Sequence, residues 1–169
     1  MSTAIAGLAA GPTVGIGQIA VSDDREIVIS ALGLGSCIGV ILADPRACVA
    51  GMAHVMLPQS APSSKGPPGK FADTAVPALL ESVLKLGADP GRLIAKIAGG
   101  AQMFGAGSGG GNMFNIGERN AEAVRAALLA TGIRVRAADV GGNFGRTLQV
   151  RVGSGTVTVR VVGGEPVEL

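Results

Sequence analysis

Two apolar runs separated by a turn dominate the hydrophobic pattern of this chain. The first is Ile38-Gly39-Val40-Ile41-Leu42-Ala43, the turn is Asp44-Pro45-Arg46-Ala47, and the second run leads from Cys48 to His54. Asp and Pro are favoured at the first and second positions of a β-turn, so the runs are predicted to pair as a hairpin centred on Pro45 and Arg46. That register sets Cys37 directly opposite His54, where facing Cβ atoms lie roughly 4.5–5.5 Å apart. A bulge at Gly39 or Gly51 would slip it by one residue.

The remaining elements follow from periodicity. Residues 13–21 and 26–31 read as two strands ahead of the hairpin. Residues 59–70, with Pro62, Pro67 and Pro68 among Ser, Gly and Lys, read as an irregular surface loop beside the return strand. Val76, Leu79, Leu80, Val83 and Leu84 recur at helical spacing, with Thr74 as N-cap, Pro77 at the third helical position and Gly87 as the stop. Residues 93–98 form a short strand, and a second helix runs from about Gly117 to Ala130 with Gly132 at its C-cap. Residues 133–140 are a strand, and residues 147–152 and 156–162 a closing hairpin. Strands and helices do not alternate strictly, which implies a mixed sheet with two main helices packed on it, a layered α/β or α+β domain.

Composition narrows the class. At 169 residues, 47% hydrophobic and 15% charged, the chain suits one globular domain over residues 1–169, with residues 1–12 as a loose N-terminus. A net charge of +2 and the absence of Trp and Tyr argue against a nucleic-acid partner. No apolar run reaches the roughly 20 residues that span a bilayer, and no basic residue precedes Arg25, so a cytoplasmic protein without membrane insertion is expected. Cys37 and Cys48 are expected to lie roughly 20 Å apart along the hairpin, too far for a disulfide. One His and two distant Cys cannot close a metal tetrahedron, and no cofactor is implied. The glycine tract 105–111 lacks a P-loop Lys-Ser/Thr and a GxGxxG turn, so it does not read as a phosphate cradle.

Cys37 and His54 are the candidate pair for chemistry. A thiolate is a nucleophile, and an imidazole can take the thiol proton and return it to a leaving amine. The glycines before Cys37 allow a sharp bend that leaves N–H groups for a developing oxyanion. A lone Cys in an apolar strand is otherwise a small core residue, and a lone His a satisfied or exposed one.

Six blocks then stand in order: Gly33-Leu34-Gly35-Ser36-Cys37, Ala53-His54-Val55-Met56-Leu57-Pro58, Gly69-Lys70-Phe71-Ala72-Asp73-Thr74-Ala75, Lys96-Ile97-Ala98-Gly99-Gly100-Ala101, Asn115-Ile116-Gly117-Glu118-Arg119-Asn120 and Gly141-Gly142-Asn143. Together they resemble the chemoreceptor glutamine deamidase family, CheD, from about Val14 to the end. The resemblance implies a three-layer α/β sandwich and an amidohydrolase acting on glutamine side chains and glutamyl methyl esters of receptor helices. It implies Cys37 as nucleophile, His54 as general base, and a CheC-type phosphatase as partner. Gly35, Ser36, Gly99 and Gly100 are candidate substrate-binding positions. The family's third catalytic residue, a threonine, falls at Ala31, which has no hydroxyl. Either the Ala31 backbone carbonyl orients His54, or the protein is a weak or inactive adaptor that binds receptors or the phosphatase. A small-molecule amidase or esterase is the third reading.

Overall fold

The computed structural model describes residues 9–103 and 115–169. The glycine tract 105–111 lies outside them. The strands form two five-stranded mixed sheets. One has the order β1 (Ala9–Thr13), β3 (Ile27–Leu34), β8 (Arg146–Arg151), β9 (Val157–Val161) and β10 (Val167–Glu168). The other has the order β2 (Ile19–Ser22), β5 (Val49–Val55), β4 (Ile38–Asp44), β6 (Ile94–Gly99) and β7 (Val135–Val140). Helices α1 (Ala72–Lys85) and α2 (Ile116–Ala130) cover the second sheet.

This is a three-layer α+β arrangement with the second sheet in the middle. Every residue of β4 and β5 is buried, as expected of strands with no solvent face. Val40, Leu42, Ala53 and Val55 pack against Ala75, Val76 and Leu79 of α1 and Val124 and Leu128 of α2. Ile41, Ala43, Ala50 and Met52 point the other way, against Ile29, Leu148 and Val150 of the outer sheet. Each fully buried Leu or Ile contributes roughly 1.5–3 kcal/mol. The single expected sheet is thus two, because the alternating residues of β3, β8 and β9 need an apolar layer of their own.

The segment read as one strand over residues 13–21 is two, in different sheets. Gly15 and Gly17 break it, Gly17 at φ 78°, and the chain crosses from the outer sheet to the middle one between β1 and β2. Helix α1 starts at Ala72, earlier than expected. Phe71, held extended by a bridge to Leu57, occupies the N-cap position. Thr74 therefore lies inside the helix, its hydroxyl donating to the Pro68 and Phe71 carbonyls, and Pro77 stands beyond the first turn. The loop over residues 59–70 is irregular apart from a 3-10 turn at Pro68–Lys70. The strands β6 and β7 are parallel neighbours joined through α2, a βαβ unit whose strand ends lie beside the Cys37 turn.

Candidate active site

The hairpin forms, but in a different register. Two-residue hairpin turns need a positive φ at their first central position, which the Pro45 ring forbids. The loop instead takes four residues, Pro45 to Cys48. Asp44 Oδ1 accepts the N–H groups of Arg46 and Ala47 at 3.2 and 3.3 Å, and Cys48 closes the loop in the left-handed region at φ 54°. Gly39, not Cys37, therefore faces His54. The slip is of two residues, so the alternation of faces is preserved, and Cys37 stands in the bend just outside the ladder, whose last pair is Ile38 with Val55. Cys37 packs against the core between the sheets, the side to which Ala50 and Met52, and by alternation His54, also turn. Gly39 lies close against the outer sheet at this point. A Cβ there would stand 2.5 Å from Leu148 Cδ2 and 3.1 Å from Leu34 Cδ1, the two leucines that form the apolar floor.

His54 is 4% exposed and is gripped by the crossover between β1 and β2. The Gly17 N–H donates to the His54 carbonyl at 2.8 Å, and the His54 N–H donates to the Gln18 carbonyl at 3.1 Å. The ring Nδ1 lies 3.0 Å from the Val14 carbonyl oxygen. A carbonyl only accepts, so Nδ1 carries the hydrogen and, in the neutral ring, Nε2 holds the free lone pair. The expected orienting group is thereby corrected. A backbone carbonyl does hold the imidazole, but it belongs to Val14, while Ala31 is fully buried in the core between the sheets. No side-chain pattern could have flagged Val14, because its contribution is main-chain.

The turn carrying Cys37 is fixed from below. Gly100 and Ala101 donate their N–H groups to the carbonyls of Cys37 and Gly35, at 2.9 and 2.8 Å. A Cβ on Gly99, which sits at φ 119°, would fall 2.1 Å from the Cys37 carbonyl oxygen. Gly99 and Gly100 thus lie against the Cys37 backbone, and the Gly100 N–H is already engaged there. From the other side, Asn120 of α2 donates through Nδ2 to the Ser36 and Met56 carbonyls, each at 2.9 Å. Both cysteines are free, and Cys37 is partly exposed. Burial pushes the Cys37 thiol pKa up, which favours the protonated thiol.

A cavity of about 350 Å³ opens beside this turn, at the C-terminal ends of β6 and β7. Its lining includes Gly100, Gln102, Asn115, Glu118 and Asn143. Gly100 belongs to both the cavity wall and the support of Cys37.

The family model described as CheD chemotactic sensory transduction matches residues 56–161. A probable chemoreceptor glutamine deamidase CheD of Symbiobacterium thermophilum is 46% identical over 152 residues, covering 89% of this chain and 92% of the relative. The chemoreceptor glutamine deamidase CheD of Thermotoga maritima is 47% identical over 151 residues, with the same two coverages. Alignments that long span both Cys37 and His54. Among solved structures, a hypothetical protein YfiH of Bacillus licheniformis is 14% identical with a TM-score of 0.46, covering 72% of this chain and 49% of the other.

Proposed function

This chain belongs to the CheD family, and from that premise we propose that it is a chemoreceptor glutamine deamidase working through a Cys37–His54 dyad. The observation that carries the mechanism is the Val14 contact at Nδ1, which leaves Nε2 as the basic nitrogen on the side of the middle sheet where Cys37 also packs.

The steps follow from that placement. His54 Nε2 takes the proton of the Cys37 thiol, and the thiolate attacks the carboxamide carbon of a receptor glutamine. The resulting oxyanion is received by the N–H groups of Ser36 and Cys37, neither of which donates to another described residue. The protonated Nε2 returns its proton to the amide nitrogen, the C–N bond breaks, and ammonia leaves a thioester on Cys37. Water, deprotonated by Nε2, then attacks that thioester carbon. The C–S bond breaks, glutamate is released and the thiol regains its proton. A glutamyl methyl ester follows the same path with methanol as the leaving group.

Val14 also bears on the adaptor reading. That reading rests on the hydroxyl missing at Ala31, and a carbonyl 3.0 Å from Nδ1 supplies the same orientation. The substrate would be the cytoplasmic helices of chemotaxis receptors, and a CheC-type phosphatase the regulatory partner, both met outside the membrane. Among the described residues no helix is long and apolar enough to cross one. The test is ammonia release from a purified receptor cytoplasmic fragment, with free glutamine as control. Release from the fragment alone is expected and must vanish in Cys37→Ala. Equal turnover of free glutamine would point to a small-molecule amidase, and no release from either to an adaptor.

A further inference from the structure

We infer that Asn120 is a positioning residue for the reaction: a wedge that fixes the distance between the nucleophile and its base. The inference rests on the dyad proposed above.

The last pair of the β4–β5 ladder is Ile38 with Val55. Beyond it the strands part. On one side the chain turns back through Cys37 and Ser36. On the other, Met56 and Leu57 turn away to donate their N–H groups to the Lys70 carbonyl. This fork leaves the Ser36 and Met56 carbonyls without ladder donors, and both flank chemistry: Ser36 precedes Cys37, and Met56 follows His54 by two residues. The Asn120 amide enters the fork from α2. Its two Nδ2 hydrogens go one to each carbonyl, both at 2.9 Å.

The orientation of the amide is set by its partners, since an oxygen in the place of Nδ2 would face two carbonyl oxygens. The side chain is fully buried, and Oδ1 is left with no partner among the described residues. An unpaired buried acceptor is unfavourable. Asn120 is thus poorly suited as a filler of core volume, and well suited as a double donor that holds two carbonyls at one separation. Cys37 and His54 inherit that separation, because each sits within two residues of a clamped carbonyl. Misplacement by about 1 Å can cost on the order of a hundredfold in rate.

The test uses the full chain and the variants Asn120→Leu, which keeps volume but donates nothing, and Asn120→Ser, whose single hydroxyl can serve only one carbonyl. Two readouts are taken on folded protein. The first is ammonia release from the receptor fragment, split into kcat and KM. The second is the pH profile of Cys37 alkylation, with His54→Ala marking the limit without a base. Expected for Asn120→Leu is a fall in kcat of tenfold or more with KM within about threefold, and an alkylation profile moved to that of His54→Ala. Asn120→Ser should lie between the two, and it carries the test if the leucine variant does not fold. A wild-type kcat and alkylation profile in either folded variant overturns the wedge. A wild type that releases no ammonia, but whose alkylation depends on both His54 and Asn120, overturns the deamidase reading and leaves the wedge standing. Alkylation independent of His54 overturns dyad and wedge together.

Discussion

The ring nitrogen Nδ1 of His54 and the carbonyl oxygen of Val14 stand 3.0 Å apart, although the two residues are forty positions apart in the chain. The histidine belongs to the middle sheet, and Val14 to the segment that has just left the outer one. The imidazole is therefore oriented by a main-chain group that no substitution at position 14, short of a backbone shift, can remove.

Ala31→Thr tests that orientation. With Val14 already fixing the tautomer, an added hydroxyl should change the deamidation rate by less than about tenfold, roughly 1.4 kcal/mol of barrier. Ala31 is fully buried, so the extra atoms should cost roughly 1–3 kcal/mol of stability. Single-turnover ammonia release and urea unfolding measure the two. A gain of a hundredfold would mean that the Val14 contact does not hold the ring in solution.

Cys37 should titrate high. Burial raises its pKa, so its protonated form dominates at neutral pH and alkylation should accelerate as pH rises, with a midpoint above the roughly 8.5 of a free thiol. Stopped-quench labelling with iodoacetamide, read by peptide mass, gives the midpoint. A value well below 8 would show a pre-formed thiolate and remove the need for His54 as base in the first step.

Gly99→Ala should be damaging. The new methyl would meet the Cys37 carbonyl oxygen at 2.1 Å, and φ 119° is unfavourable for any L side chain. Relief requires the turn that carries Cys37 to move. Ammonia release is expected to fall at least tenfold, by the same misplacement argument as above. Unaltered turnover would mean that the turn has slack at this point.

Asp44 anchors the hairpin loop and should make stability acid-sensitive. The Arg92 guanidinium beside it, with Oδ2 2.8 Å from Nη2, holds its pKa at about 2. A depressed carboxylate adds stability above its unfolded pKa of roughly 3.9, and that stability is lost as pH falls through the folded value. Urea midpoints should therefore drop between about pH 4 and pH 2 in the wild type. Asp44→Asn should lose about 2 kcal/mol near neutrality and show a flatter acid limb. Parallel acid limbs in the two proteins would assign the effect elsewhere.

Much of this was legible in the residues, and the misses share a cause. The run from Ile38 to Ala43, the helical spacing of Val76, Leu79 and Val83, and the β-branched tail all announce themselves through side chains. The hairpin register depends instead on what Pro45 forbids, which the turn-favouring reading of Asp-Pro overlooked. The register differs by an even number of residues, so alternation still turns His54 toward the inter-sheet side against which Cys37 packs, although Gly39 takes the opposing position. The split at Gly15 and Gly17 was missed because small apolar residues on both sides keep the alternation unbroken. Val14 and the forked carbonyls act through the backbone, which composition does not encode. Asn120 was visible only as part of a motif, since its partners are residues 36 and 56.

The central strands β4 and β5 have water on neither side, and that governs when the site can move. Amide hydrogens of β4 and β5 have no local route to solvent, so they should exchange with deuterium only when the whole domain opens. Cys37 and His54 are mounted at one end of this slowest-exchanging body. If the dyad acts on a receptor glutamine as proposed, adaptation on binding is expected from the receptor and from the Cys37 bend rather than from these two strands.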